Sequence, residues 1–108
     1  MAYRIERLNE LIRQVLGEII LETEDFEPGV LVTIMAVETS KDVLHSRVII
    51  SVFPEKKAKA ILEILNRHIY NLQQLLNKKL EMRPVPKIRF VLDQTEAEAE
   101  KLEGLLRK

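Results

Sequence analysis

The chain has 108 residues, with 17 basic and 17 acidic side chains, no cysteine and a formal net charge of zero. A chain of this length buries about 65% of its unfolded surface, which suits one domain held together by packing alone, without disulfides or thiolate metal sites. No apolar run approaches the ~20 residues of a membrane span, and charges interrupt the amino terminus where a signal peptide would be apolar. We therefore expect one cytoplasmic domain over residues 1–108.

The charges are unevenly distributed along the chain. The segment from Lys41 to Arg89 contains eleven Lys or Arg residues and four Asp or Glu residues, whereas the remainder contains six basic and thirteen acidic residues. A basic middle and acidic ends can orient a domain on a phosphate surface. The alternative is that the two sets interleave in space and cancel.

Residues Tyr3 to about Glu22 carry apolar side chains at steps of three and four, which predicts an amphipathic helix. The pair Pro28-Gly29 then separates this helix from the next element. Gly17 lies inside the helix, where it costs up to about 1 kcal/mol relative to alanine. We expect that Gly17 permits a close contact between the helix and a sheet.

Two strands should come next. Val30 to Thr39 is rich in β-branched residues, and Leu44 to Phe53 alternates between an apolar face and a mixed face. The residues from Thr39 to Asp42 supply turn chemistry between them. We expect an antiparallel hairpin.

The longest patterned run extends from Glu55 to Leu80, where apolar residues again recur at helical spacing until Pro84 and Pro86 end the pattern. A straight helix of this length would span about 39 Å. That is longer than the ~34 Å width of a compact chain of this size. Since weak helix formers lie in the middle of the run, we expect a bend near residues 66–71.

Alternation from Lys87 to Asp93 predicts a third strand, and a right-handed crossover would make it parallel to the second. The spacing in Thr95-Glu96-Ala97-Glu98 is that of a capping box, which predicts a short C-terminal helix. The chain is thus expected to be an α+β fold, helix-strand-strand-helix-strand, with a three-stranded mixed sheet. This is the order of the type II KH domain, although other α+β domains share it.

Several stretches resemble the bacterial ribosome-binding factor A family when they are taken together. A Ser-Lys-Asp turn precedes a Val-Ile-Ile-Ser-Val strand, and Arg-x-Val-Pro precedes the last strand. The stretches that carry the resemblance are Arg4 to Ile12, Val32 to Ile34, Val37 to Val43, Arg47 to Val52, Lys79 to Phe90, and Asp93. They cover nearly the whole chain.

The resemblance implies a non-enzymatic assembly factor that binds the small ribosomal subunit and its RNA during late maturation. The family replaces the Gly-x-x-Gly loop of KH domains with an Ala-x-Gly kink in the long helix. This chain has His68-Ile69-Tyr70 at those positions, so neither small residue is present. Asn77 stands where the family often has a further glycine, and asparagine can adopt a left-handed conformation.

Eight residues are candidates for RNA contact on physical grounds. Lysine and arginine pair with phosphates, and exposed rings stack on bases. The candidates are Lys56, Lys59, Arg67, His68, Tyr70, Lys78, Lys79 and Arg83. Lys41 and Arg47 are weaker candidates. Each has a plainer alternative, because a charged helical face is usually just solvated, Tyr70 is equally expected to be partly buried, and His68 is more often a packed or capping residue.

The sequence lacks the elements that enzymes of the common classes require. It has no cysteine nucleophile, no Gly-rich phosphate loop before a helix and no ordered metal-ligand spacing. Glu24, Asp25 and Glu27 could bind a divalent ion only weakly. We expect no catalysis, cofactor, metal or small-molecule substrate, and a monomer that does not bind membranes.

A protein-protein adaptor is the alternative function. In that interpretation the long helix presents Ile64, Leu75 and Met82, which lie on one flank of the main apolar stripe, to a partner helix. The two functions differ in salt dependence. Phosphate binding weakens steeply as salt rises, whereas an apolar contact is nearly indifferent to salt.

Overall fold

The computed structural model describes residues 2–94. The helices and strands are α1 (Ala2–Thr23), β1 (Leu31–Thr39), β2 (His45–Phe53), a 3-10 turn (Glu55–Lys57), α2 (Ala58–Arg67), α3 (Ile69–Lys79) and β3 (Lys87–Leu92). The predicted element order and α+β class are confirmed, while the C-terminal helix predicted from Thr95 lies outside these residues. None of the helices within residues 2–94 is long and apolar enough to cross a membrane.

The three strands form one mixed sheet in the order β1-β2-β3. The first two strands are antiparallel, as expected for a hairpin, and β3 lies parallel to β2. A β-bulge at Met35 shifts the register between Ile34 and Ala36. Because one extra residue reverses the alternation of side chains, the buried face of β1 changes from even to odd positions at the bulge.

The sheet buries one face against the helices. Along β2, Ser46, Val48, Ile50 and Val52 are buried, whereas the residues between them are exposed or only half-buried. On β3, Ile88 and Phe90 continue this inner face. Helix α1 packs mainly on β1, and α2 packs on β3 and β2, so the helices form one layer and the sheet forms the other.

The core lies between the two layers and is made of aliphatic side chains with one phenylalanine. All of its members have at most 8% of their surface exposed, and α1 and the two parts of the long helix contribute about equally. The core residues are Ile12, Leu16, Ile19, Ile20, Val37, Val48, Ile50, Val52, Ile61, Leu65, Leu72, Leu76, Leu80, Ile88 and Phe90.

Gln73 fixes α3 to the start of β3. Its Nε2 donates to the carbonyl of Pro86 at 3.1 Å, and its Oε1 accepts from the N–H of Ile88 at 2.9 Å. A single half-buried amide thereby satisfies a backbone donor and a backbone acceptor where the chain enters the sheet.

The turn between β1 and β2 is organised by Asp42. The Ser40 hydroxyl donates to Asp42 Oδ1 at 2.6 Å, and the N–H of Leu44 donates to the same oxygen at 3.1 Å. These two hydrogen bonds hold the pKa of Asp42 below its ordinary value, because both stabilise the ionised carboxylate. The turn also requires a positive φ of 61° at Val43, an uncommon conformation for a β-branched residue.

The close contact predicted at Gly17 is wrong. A Cβ built on this glycine would meet no heavy atom within 4 Å, so no close helix-on-sheet contact requires it. The residue lies in the interior of α1 beside a shallow groove between α1 and β1, where there is room for a side chain.

Candidate nucleic-acid interface

The long helix is interrupted at His68, whose backbone dihedrals are φ −93° and ψ 11°. The His68 N–H donates to the carbonyl of Ile64 at 3.1 Å, and the His68 carbonyl accepts from the N–H of Leu72 at 3.0 Å. The chain therefore passes from α2 to α3 with hydrogen bonds on both sides of the interruption. The helix is thus interrupted within residues 66–71, the region where a bend was expected. No residue of this interruption has a positive φ, so the glycine that the family pattern places at position 70 is not required for the interruption.

The imidazole of His68 contacts the segment after α1. Its Nδ1 lies 2.7 Å from Oε1 of Glu24, whose side chain is only 6% exposed. The two atoms lie at hydrogen-bond distance, and the imidazole is the donor in the tautomer that carries a proton on Nδ1. This contact gives His68 a structural partner, and 46% of its side-chain surface stays exposed.

Five of the predicted cations share one arrangement. They are exposed on the long helix or its 3-10 turn, and no carboxylate of the described residues pairs with any of them. We call them, together with Tyr70, the helical basic surface. Its cations are Lys56, Lys59, Arg67, Lys78 and Lys79. Within residues 4–94, acidic neighbours therefore do not neutralise these five side chains, contrary to the alternative considered from the sequence.

The neighbouring Lys57, in the same 3-10 turn as Lys56, is neutralised by an ion pair. Its Nζ lies 2.7 Å from Oε1 of Glu27, in the segment between α1 and β1. The difference between Lys57 and the flanking Lys56 and Lys59 is explained by helix geometry, because residues at steps of one and two point to different sides. Lys56 and Lys59 are exposed and lie outside the ion pairs of the described residues.

The helical basic surface is divided by one acidic side chain. Glu63 is exposed on α2, four residues from both Lys59 and Arg67, and therefore on the same face. One part of the surface holds Lys56 and Lys59, and the other holds Arg67 with the cations at the end of α3.

Tyr70 lies in the second part of this surface, one turn from Arg67. The residue is 75% exposed, so its ring is available for stacking, and the alternative of partial burial does not apply. The sequence pattern could not separate these two outcomes, because Tyr70 lies on the flank of the apolar stripe.

Arg83 differs from the other predicted cations. Its Nη1 donates to the carbonyl of Leu80 at 2.9 Å and to that of Met82 at 2.5 Å. Those two backbone acceptors lie just beyond the end of α3, so the guanidinium supports the connection to β3. Its role in RNA contact stays a prediction.

The weaker candidates lie on the hairpin, away from the helical basic surface. Lys41 is exposed in the turn, and Arg47 on β2 pairs with Glu38 on β1 at 2.5 Å. Lys87 and Arg89 were not among the residues singled out from the sequence, yet they lie beside His45 and Arg47 in the parallel register of β3. The alternation of residues along β3 indicates that Lys87 and Arg89 share one face of the strand. Only the strand register shows which residues of β2 lie next to them.

The acidic and apolar alternatives are weakened by the contacts that their residues make. Glu24 and Glu27 of the suggested weak cation site pair with His68 and Lys57. Ile64, Leu75 and Met82, which an adaptor would present to a partner helix, are partly buried and pack against the core.

Comparison with known proteins identifies the family. A family model described as ribosome-binding factor A matches residues 4–106. The ribosome-binding factor A of Phenylobacterium zucineum is 33% identical over 102 residues, which cover 92% of this chain and 70% of that protein. The ribosome-binding factor A of Pseudomonas paraeruginosa is 33% identical over 109 residues, which cover 97% of this chain and 84% of that protein.

Solved structures give the same result. The crystal structure of ribosome-binding factor A from Thermus thermophilus matches with a TM-score of 0.72 at 27% identity, over 84% of this chain and 97% of that one. A solution structure of a Thermotoga maritima protein described as a putative ribosome-binding factor A matches with a TM-score of 0.71 at 33% identity, over 84% and 88%.

A third structure is a homology model of the Thermus thermophilus factor fitted into a cryo-EM map of a 30S-RbfA complex. It matches with a TM-score of 0.64 at 30% identity, over 79% of this chain and 90% of that one. Taken with the match of the family model over residues 4–106, these similarities assign the chain. It belongs to the ribosome-binding factor A family.

Proposed function

We propose that this protein binds the small ribosomal subunit and its rRNA during late maturation of the subunit, and that it does so without catalysing a reaction. The observation that carries the proposal is the similarity to the Thermus thermophilus factor fitted into the map of a 30S-RbfA complex. The chain shares that fold over 79% of its length, so it can present corresponding surfaces. We further propose that it acts as a single domain and a monomer in the cytoplasm.

The helical basic surface is the part of the molecule best suited to the RNA. Its five cations have no carboxylate partners within the described residues, so binding a phosphate breaks no existing ion pair. Each phosphate that such a cation neutralises releases counterions, and affinity then falls steeply with rising salt. Tyr70 adds an exposed ring that can stack on an unpaired base.

The interruption at His68 gives this surface its shape. Arg67 is the last residue of α2, and Tyr70 is the second residue of α3, so the two lie on opposite sides of the break. The contact between His68 and the largely buried Glu24 attaches the break to the segment after α1. A fixed break holds the two helical parts in one relative orientation, which reduces the entropy lost on binding.

The absence of a reaction is part of the proposal and rests on the nature of the exposed groups. The cations of the helical basic surface can bind and orient phosphates, and such binding requires no covalent step. Binding energy at such a surface can stabilise one arrangement of a flexible RNA over another. An assembly factor requires no more than this.

Co-sedimentation with purified ribosomal subunits tests the proposal. We expect the full chain to pellet with small subunits at low salt, to be released as salt rises, and not to pellet with large subunits. Salt-indifferent association would favour the adaptor function, and equal association with both subunits would contradict a specific role on the small one.

A further inference from the structure

The open face of the sheet carries a second group of cations. The helices cover one face of the sheet, and within the described residues no other element covers the opposite face. At the end of this open face where β2 and β3 begin, His45 is paired in register with Lys87, and Arg47 with Arg89. All four side chains are exposed. We call these four residues the sheet cationic surface.

The pairing of Arg47 with Arg89 is unfavourable in the isolated protein. Neighbouring strands lie about 4.8 Å apart, and like charges directly opposite each other destabilise a sheet. A sheet that keeps this cationic pair, with Lys87 beside it on β3, therefore gains if an anion lies across it.

One carboxylate offsets part of this charge. Glu38 is paired in register with Arg47 from the other side and forms an ion pair with it. No carboxylate of the described residues pairs with Lys87 or Arg89. The local excess is thus two positive charges, both on the edge strand β3.

The shape of this surface suits an extended polyanion. The four residues border a shallow depression that is also lined by Ser40 and by Glu38, the carboxylate paired with Arg47. Successive pairs lie two residues apart along the strands, or about 6.6 Å, which is comparable to the separation of consecutive phosphates in an RNA strand. An arginine guanidinium donates two parallel N–H hydrogen bonds to one phosphate. It therefore favours a phosphate over an anion that acts as a single point charge.

We propose that the sheet cationic surface binds the phosphate backbone of a second RNA segment, on the face of the domain opposite the helical basic surface. This inference rests on the proposed function and extends it. A two-layer domain with a cationic surface on each layer would lie between two segments of rRNA and hold them at a fixed separation. An acidic protein segment is the competing occupant.

The test measures the affinity of the full chain for purified small subunits over a series of salt concentrations. The variant Lys87→Gln/Arg89→Gln should bind more weakly and reduce the slope of log affinity against log salt by about two, since each lost phosphate contact removes about one. Glu38→Gln frees Arg47 and should bind more tightly. As a control, Arg4→Gln/Arg13→Gln removes two cations from α1, of which Arg13 is paired with Glu10, and should leave the slope unchanged.

Protein-free small-subunit rRNA separates the two occupants. If Lys87→Gln/Arg89→Gln loses affinity for intact subunits but not for the rRNA alone, the occupant is a protein and the inference is wrong. Wild-type slope and affinity in a folded variant would also overturn it. Failure of the wild-type chain to bind small subunits at any salt would overturn the proposed function as well, whereas normal wild-type binding with an unaffected variant overturns this inference alone.

Discussion

The Nδ1 atom of His68 lies 2.7 Å from Oε1 of Glu24, a residue 44 positions away in sequence. One partner occupies the interruption between α2 and α3, and the other lies just after α1. The contact therefore joins two parts of the helical layer at the point where the long helix is irregular. It lies where the resemblance implied a kink with small residues, which this chain lacks.

Replacing His68 with alanine should destabilise the domain. The largely buried carboxylate of Glu24 would lose its hydrogen-bond donor, and an unsatisfied buried acceptor costs roughly 1–3 kcal/mol. Urea unfolding of the wild type, His68→Ala, Glu24→Ala and the double variant gives the coupling energy of the pair. Additive effects of the two substitutions would show that the contact contributes nothing to stability.

Gly17→Ala should stabilise the protein by up to about 1 kcal/mol, because alanine loses less backbone entropy in a helix and nothing lies within 4 Å of the new Cβ. Gly29→Ala is the matched comparison. Gly29 has a φ of 88°, so the same change there should destabilise. Thermal unfolding of both variants checks the contrast, and a destabilised Gly17→Ala would mean that the helix does need a glycine.

The β1–β2 turn should make stability depend on pH in the acidic range. The pKa of Asp42 is lowered in the folded state by its hydrogen bonds from Ser40 and Leu44. Because the pKa is lower in the folded state, ionised Asp42 contributes its full stabilisation at pH values above the ordinary aspartate pKa of 3.8. This contribution is lost as the pH falls through the lower pKa of the folded state.

The variant Asp42→Asn isolates this contribution, since it keeps an acceptor oxygen but not the charge. Wild type should be more stable than Asp42→Asn at neutral pH, and the difference should shrink as the pH falls below 3.8. Urea unfolding at several pH values measures it. Other carboxyl groups titrate in both proteins and cancel, so a constant difference would contradict the assignment.

The sequence predicted the elements well because their faces are set by local spacing. The alternation of Val48, Ile50 and Val52 and the helical spacing of Leu65, Leu72 and Leu76 correspond directly to buried faces. The exposure of Lys56, Arg67 and Lys78 could be predicted from the same spacing, because they lie roughly opposite the apolar stripe. These features depend only on neighbours within a few residues.

Features that depend on distant partners were not predictable in this way. The contact of His68 with Glu24 and the pairing of Arg47 with Arg89 require the tertiary arrangement and the strand register. The bulge at Met35 and the positive φ of Val43 have no distinct local signal, because both residues are typical of an ordinary strand. The room beside Gly17 likewise depends on how α1 lies on β1.

The central claim is that the helical basic surface binds rRNA of the small subunit, and charge reversal tests it most directly. Arg67→Glu/Lys78→Glu places two negative charges on the exposed side of the long helix, and Arg4→Glu/Arg13→Glu makes the same change in net charge on α1. Neither pair removes a core side chain, and circular dichroism should confirm that both variants fold.

The decisive measurement is co-sedimentation of these two variants with purified small subunits at low salt. We predict that Arg67→Glu/Lys78→Glu no longer pellets with the subunits, because each reversal replaces an attraction to phosphate with a repulsion. The α1 control should pellet like the wild type. Undiminished co-sedimentation of folded Arg67→Glu/Lys78→Glu would contradict the account.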